Sequence, residues 1–179
     1  DGKSVAEIAE IWEKDPWEVW FDIISKDPDT RSVGAGVHSW SNLYYTHPRG
    51  MVGLDTPVFD KDFEFNHPPW NFRGINTYSA YPLIYNKLVK EEKVLSIEEF
   101  VNKTSTMPAR VHNLKGRGTL KTGSFADIVL LDVENLKVLS TELEPRAYPK
   151  GVEYVFVNGV PVVEKGRHTG ARPGRILKR

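Results

Sequence analysis

The residue of this chain best suited to proton-transfer chemistry is Asp55, which closes a short apolar run at residues 51–54. Such a run predicts a buried strand, and Thr56 followed by Pro57 predicts that the chain turns away after it. In α/β barrels the C-terminal ends of the strands form the mouth, where a carboxylate can accept a proton or bind a metal ion. Local sequence alone favours a turn-capping Asp, and the rest of the chain favours the catalytic interpretation.

Four further side chains are candidates for substrate binding. His38 directly follows a small apolar run at residues 33–37, and His67, Trp70 and Arg73 belong to a long loop. Arg73 could bind a carboxylate through two parallel hydrogen bonds, and the aromatic rings could line an acyl or side-chain pocket. Each has a structural alternative: a hydrogen-bonded loop histidine, rings packed on the fold, or an arginine in a salt bridge.

Metal ligands are sparse in this sequence. The 5 histidines show neither His-x-His nor His-x-x-x-His spacing, and cysteine is absent, so neither a disulfide nor a thiolate metal site can form. We therefore expect no metal in this chain alone. Asp55 remains a possible ligand in a larger protein.

The charge balance excludes several classes of partner. Lys+Arg and Asp+Glu each number 24, so there is no basic excess to neutralise nucleic-acid phosphates. No apolar run approaches the length of a bilayer span, and no secretory leader pattern is present. We expect neither nucleic acid nor membrane as a partner, and a cytoplasmic location.

The spacing of apolar residues divides the chain near residue 118, with an α/β part over residues 1–118 and a mostly β part over residues 119–179. Asn158-Gly159 predicts a β-hairpin, and the long loop at residues 56–75 is typical of a lid or binding loop. The predicted helices begin at Ser4, Asp15, Asn76, Ser96 and Thr106, and the predicted strands are residues 33–37, 51–55, 126–131, 152–157 and 160–164.

Seven short segments, taken in order, give this sequence a family resemblance. It resembles the metal-dependent amidohydrolases, and within them the D-aminoacylase (N-acyl-D-amino-acid deacylase) branch. The segments are residues 2–8, residues 51–55, Met107-Pro108-Ala109-Arg110, Gly116-Arg117-Gly118, residues 121–130, residues 155–159 and Arg172-Pro173-Gly174-Arg175.

The resemblance implies a (β/α)8 barrel with an attached small β domain that both ends of the full chain build. Residues 1–118 would then be the C-terminal part of the barrel, with residues 33–37 and 51–55 as its final strands. Residues 119–179 would be the C-terminal share of the small domain. Because two strands cannot close a barrel, we expect a fragment, a processed piece, one part of a multi-chain protein, or a truncated chain with its own packing.

The resemblance also implies a reaction. A metal-activated water would attack an amide carbonyl, with a divalent metal, expected to be zinc, held by ligands from earlier barrel strands. Asp55 matches the carboxylate that takes the proton of the water and passes it to the leaving nitrogen. Thr56 departs from the Gly of many D-aminoacylases, which leaves the substrate open. We expect part of a hydrolase of linear amides such as N-acyl-D-amino acids, inactive as this chain alone.

Two other functions remain open at this stage. One is a cyclic amidase similar to dihydroorotases or hydantoinases, for which only the loop at residues 56–75 is informative. The other is a non-enzymatic structural or association module, whose exposed strand edges would favour oligomers. The expected partners are therefore the N-terminal part of the same enzyme or further copies of this chain, with an N-acyl amino acid as the small-molecule substrate.

Overall fold

The computed structural model describes residues 3–27, 42–56, 58–63, 74–141 and 144–177. Over these residues the secondary structure is helical up to Val111 and then forms a four-stranded antiparallel sheet, which is consistent with the expected α/β barrel fragment followed by a β part. The strand predicted at residues 33–37 lies outside the described residues. None of the described helices combines the length and the apolar composition that a bilayer span needs.

The first two helices begin where their capping residues predict. Helix α1 (Val5–Trp12) has a capping box, in which the Ser4 hydroxyl accepts the Glu7 N–H at 3.2 Å and the Glu7 carboxylate accepts the Ser4 N–H at 2.7 Å. Helix α2 (Pro16–Lys26) begins after Asp15, whose side chain accepts a backbone N–H two residues further on at 2.8 Å. Both predicted starts are confirmed.

The later helices are short, and wider π-helical turns extend two of them. The segments are α3 (Asn42–Thr46), α4 (Asn76–Tyr85) with the π-helical turn Asn86–Glu91, and α5 (Ile97–Val101) joined through the π-helical turn Asn102–Thr106 to α6 (Met107–Val111). The starts predicted at Asn76 and Ser96 are confirmed.

The short helix predicted after Thr106 is present as α6, but Thr106 does not cap it. The backbone of Thr106 is already helical (φ −65°, ψ −46°), so α5 runs through the π-helical turn into α6. Pro108 has no N–H for the carbonyl of Thr104, and the wider turn before it accommodates this missing bond. The Thr106 hydroxyl donates instead to the Gly118 carbonyl, 2.7 Å away.

The sheet is an antiparallel meander. Its strands pair in chain order and are β1 (Ile128–Leu131), β2 (Val152–Val157), β3 (Val160–Glu164) and β4 (Arg167–His168). The predicted hairpin is confirmed, with positive φ at both Asn158 and Gly159, as a tight two-residue turn needs. Strand β4 has only two residues, which is too short for an apolar alternation to predict it. Strand β1 begins two residues later than expected.

The hydrophobic core lies between the helices and the segment that follows β1. It consists of Val52, Ile84, Tyr85, Leu88, Leu95, Phe100 and Leu136. The rings of Tyr85 and Phe100 meet edge to face, with centroids 5.3 Å apart. Since Leu136 joins this core, contacts cross the boundary that the sequence predicts near residue 118. That boundary stays a prediction.

Residues 51–55 do not form the predicted strand. The segment is irregular, although its exposure alternates: Val52 is buried, Leu54 is partly buried, and Gly53 and Asp55 are exposed. A barrel strand takes its backbone hydrogen bonds from neighbouring strands. Here the Val52 N–H donates instead to the Lys103 carbonyl, which belongs to a helix, at 3.2 Å. The apolar composition of residues 51–55 therefore does not by itself make a strand, and among the described residues no strand pairs with it.

Candidate active site

Asp55 projects from a segment that packs on the core through the alternate residues. Val52 is a core member and Leu54 packs against the same cluster. Asp55, the next residue after Leu54, is therefore directed away from the core. Asp55 is exposed, which leaves its carboxylate accessible to a substrate or a water molecule. The local arrangement therefore permits proton transfer by Asp55.

A buried lysine holds the chain just before this segment. Only 5% of Lys103 is exposed, and its amino group donates to the carbonyls of His47 at 2.7 Å and Gly50 at 3.1 Å. With the bond from the Val52 N–H to its own carbonyl, Lys103 makes three hydrogen bonds to residues 47–52. One residue thus ties the turn and the start of the Asp55 segment to the same helix.

The turn itself leaves no space for a side chain at Gly50. A Cβ atom there would lie 1.9 Å from the Tyr44 carbonyl oxygen, which is backbone and cannot simply rotate away. The Gly50 N–H also donates to the His47 carbonyl at 2.9 Å. Glycine is therefore required at the point where the chain enters the Asp55 segment.

A second attachment follows Asp55 directly. The hydroxyls of Thr56 and Thr77 are 3.0 Å apart and hydrogen-bonded, and Thr77 lies in the first turn of α4. The segment is therefore anchored on both sides of Asp55. Before Asp55 it is bonded to Lys103 in the π-helical turn Asn102–Thr106, and after Asp55 it is bonded to α4.

Neither anchor was among the residues predicted from the sequence. The burial of Lys103 could have been predicted from its spacing. It lies three residues after Phe100 and four before Met107, and both of these are buried in the structure. A lysine on an apolar helical stripe implies a buried amino group that needs partners. Thr77 carried no such indication, since only the fold brings it next to Thr56.

The other predicted site residues are not placed by the structure. His38, His67, Trp70 and Arg73 lie outside the described residues. Their substrate-binding roles therefore remain predictions, together with the course of most of the loop that contains the last three.

The described start of that loop is fixed to the segment before β2. The backbone N–H of Lys61 donates to the Tyr148 hydroxyl at 3.3 Å, and Arg146 donates to the Lys61 carbonyl at 3.3 Å. The rings of Phe59 and Phe63 stack with centroids 5.4 Å apart. The loop therefore leaves the Asp55 segment from an ordered base.

The described residues do not provide a metal site of their own. Among them, no three His, Asp or Glu side chains converge in a way that could hold an ion. Asp55 could contribute one carboxylate, and a divalent metal in a hydrolytic centre needs at least two further protein ligands. The described residues do not by themselves fit a catalytic metal.

Several of the segments behind the family resemblance meet in one polar network. The Arg117 guanidinium donates to the Asp127 carboxylate and, at 2.5 Å, to the Asn158 side-chain oxygen. Asp127 also accepts the Asn158 N–H at 2.8 Å, and the Asn158 amide donates to the Pro173 carbonyl at 2.8 Å. The Arg117 guanidinium lies over the Phe125 ring, 4.1 Å from its centroid. These segments therefore fasten the hairpin between β2 and β3 and have no evident part in the chemistry of Asp55.

We expect Asp127→Asn to destabilise the chain by about 1–3 kcal/mol at neutral pH, because the Arg117 guanidinium and the Asn158 N–H lose a charged acceptor. Burial acts to raise the pKa of Asp127, but the hydrogen bonds from Asn158 and Arg117 outweigh it and hold that pKa below its ordinary value. Its contribution is therefore complete above the unfolded pKa, about 3.9, and is lost as pH falls through the folded pKa.

Urea unfolding at pH 7 and near pH 3 measures the free energy of unfolding of wild type and of Asp127→Asn. The difference between the two proteins is expected to be smaller at the lower pH. Asp62→Asn is the matched control, since Asp62 is exposed and its surface pair with Lys61 contributes little. An equal gap at both pH values would show that the ionised carboxylate of Asp127 is not what stabilises the hairpin.

A family model supports the resemblance, and so does a curated relative. The model, described as "Amidohydrolase family", matches residues 70–163, just over half of the chain. The N-acyl-D-aspartate deacylase of Alcaligenes xylosoxydans xylosoxydans is 32% identical over 137 residues, which cover 76% of this chain and 25% of that protein. The chain thus spans about a quarter of the length of this relative.

Two further comparisons concern the alternative substrate and the fold. A dihydroorotase of Endomicrobium trichonymphae is 40% identical over 75 residues, which cover 42% of this chain and 17% of that protein. A solved structure from work on the binuclear metal center of D-aminoacylase is 21% identical, with a TM-score of 0.68 over 100% of this chain and 35% of that one. This last similarity shows the fold.

Proposed function

Because the chain belongs to the amidohydrolase family, we propose that it is the C-terminal part of a metal-dependent hydrolase of linear amides, similar to N-acyl-D-amino-acid deacylases. One observation carries the proposal: the similarity to the deacylase extends over 76% of the chain. The similarity to the dihydroorotase covers only 42% of the chain. The cyclic-amidase alternative is therefore the weaker of the two.

In this proposal Asp55 is the general base and then the general acid. Its carboxylate takes a proton from the attacking water and delivers it to the nitrogen that leaves, so that a neutral amine departs. The exposure of Asp55 and the anchoring of its segment on both sides support this role.

The divalent metal, which we propose to be zinc, would be held mainly by residues of the protein outside this chain. The similarity to a solved structure from work on a binuclear metal center supports a divalent metal in the intact protein. When bound, such a metal supplies polarisation of the carbonyl and a more acidic water.

The proposed substrate is an N-acyl-D-amino acid, whose free carboxylate needs a cationic partner. Arg73 is the proposed partner, with His38, His67 and Trp70 as further pocket residues. A guanidinium binds a carboxylate through two parallel hydrogen bonds, which would also orient the scissile amide.

The proposal is tested with the full-length protein that contains this chain, loaded with zinc and assayed with N-acetyl-D-aspartate, N-acetyl-L-aspartate and dihydroorotate. Hydrolysis of the D-enantiomer alone is the expected result, whereas ring opening of dihydroorotate would favour the cyclic-amidase alternative. The 179-residue chain assayed alone with zinc is expected to show no turnover. Clear turnover by that chain would contradict the proposed division of the metal ligands.

An association module is the second candidate, and the sheet edge favours it. Val129, Leu130 and Leu131 of the edge strand β1 are 40–56% exposed. An apolar edge strand offers unpaired backbone groups to a further strand, which could come from the rest of the same enzyme or from another copy of this chain.

Gel filtration of the chain separates these possibilities. A module that pairs its own sheet edges is expected to elute as an oligomer whose formation β1 substitutions such as Leu130→Lys abolish. Under the deacylase proposal, the same substitution in the full-length protein is expected to lower its stability without changing its oligomeric state.

A further inference from the structure

Lys103 is an unusual residue to find in the interior of this chain. Only 5% of it is exposed, and among the residues that the structure describes it has no carboxylate partner. Burial of an amino group is costly unless hydrogen bonds replace its hydration. Its two recorded acceptors are backbone carbonyls, those of His47 and Gly50. The buried amino group of Lys103 is therefore paired with the turn at residues 47–50.

The two carbonyls belong to the turn that leads into the Asp55 segment. The turn closes with the Gly50 N–H donating to His47, and the chain then returns to the Lys103 carbonyl through the Val52 N–H. Lys103 thus bonds the segment from both its side chain and its backbone. Asp55 follows Val52 by three residues, and Thr56 is anchored separately to Thr77.

We infer that Lys103 is a positioning residue for Asp55: its amino group fixes the turn at residues 47–50, and the turn fixes where the carboxylate is presented. This inference rests on the proposed function of Asp55 as proton carrier. A general base acts only at hydrogen-bond distance from the proton it removes, so a displacement of about 1 Å is enough to slow the reaction strongly. Substrate binding depends on other groups and is unaffected.

The test compares Lys103→Met with Lys103→Arg in the full-length, zinc-loaded protein. Methionine retains the volume and removes the donor, so the carbonyls of His47 and Gly50 lose this hydrogen bond. For Lys103→Met we expect kcat to fall about 10- to 100-fold with KM within about twofold of wild type. Lys103→Arg retains a donor and is expected to recover part of the loss.

The matched control is Lys87→Met. Lys87 also lies in a π-helical turn, its side chain is 21% exposed, and it forms an ion pair with Glu92 at 3.7 Å. Its kcat and KM are expected to equal those of wild type. Hydrogen exchange of the amides of residues 50–55, measured in the same proteins, is expected to accelerate in Lys103→Met alone.

The outcomes separate this inference from the function on which it rests. An active wild type whose kcat is unchanged by Lys103→Met would overturn the inference alone. A rise in KM at constant kcat would also overturn it, because a binding role would then replace positioning. If Lys103→Met does not fold, Lys103→Gln is the substitute, and an unchanged kcat again overturns the inference. A wild type without any amide hydrolysis would overturn the proposed function itself.

Discussion

Substitution of Asp55 by Asn in the full-length protein is expected to lower kcat for N-acyl-D-amino acid hydrolysis by about 10²- to 10⁴-fold, the usual contribution of a positioned acid–base group. Asparagine has nearly the same shape and removes the charge and the proton-accepting oxygen. Because Asp55 is exposed and is not a core member, the free energy of unfolding is expected to change by less than about 0.5 kcal/mol.

The measurement is steady-state kinetics over a range of pH, with bound zinc quantified in each protein. Loss of activity at full zinc occupancy indicates proton transfer, whereas loss of zinc would indicate that Asp55 acts chiefly as a metal ligand. Asp62→Asn is the control, since it removes another exposed carboxylate seven residues away. Retention of more than a third of wild-type kcat by Asp55→Asn would exclude the proposed role.

Leu88→Ala is expected to have the largest effect on stability, a loss of about 2–5 kcal/mol. Leu88 is completely buried in the core cluster that also contains Val52, and the shortened side chain leaves a cavity that rigid helices cannot close. Urea unfolding of the chain measures the change.

Val101→Ala is the control for this experiment. Val101 lies one helix away and is 51% exposed, so its truncation is expected to cost less than about 0.5 kcal/mol. Equal losses in the two variants would mean that the helices do not form the core described above.

The features that could be predicted from the sequence are those that a few neighbouring residues decide. Ser4 with Glu7 and Ser96 with Glu99 each provide a complete capping box, so helix starts there need no distant contact. Asn158-Gly159 adopts the positive φ values of a tight hairpin with little strain, which explains why β2 and β3 were predicted to the residue.

The predictions that failed depend on neighbours that the local sequence does not contain. Residues 51–55 have the composition of a buried strand, but a strand also needs another strand beside it, and here the Val52 N–H bonds to a helix. Thr106 has the composition of a helix cap, but the helix continues through it and its hydroxyl bonds to Gly118, twelve residues later.

The candidate site divides in the same way. The sequence by itself indicated the carboxylate at Asp55 and the family resemblance, because residue type and motif order survive without coordinates. Only the tertiary structure joined Lys103 to a turn more than fifty residues earlier and Thr56 to Thr77. The physical reason is that a hydrogen bond depends on atoms brought within about 3 Å, and for residues distant in the chain that proximity is decided by packing.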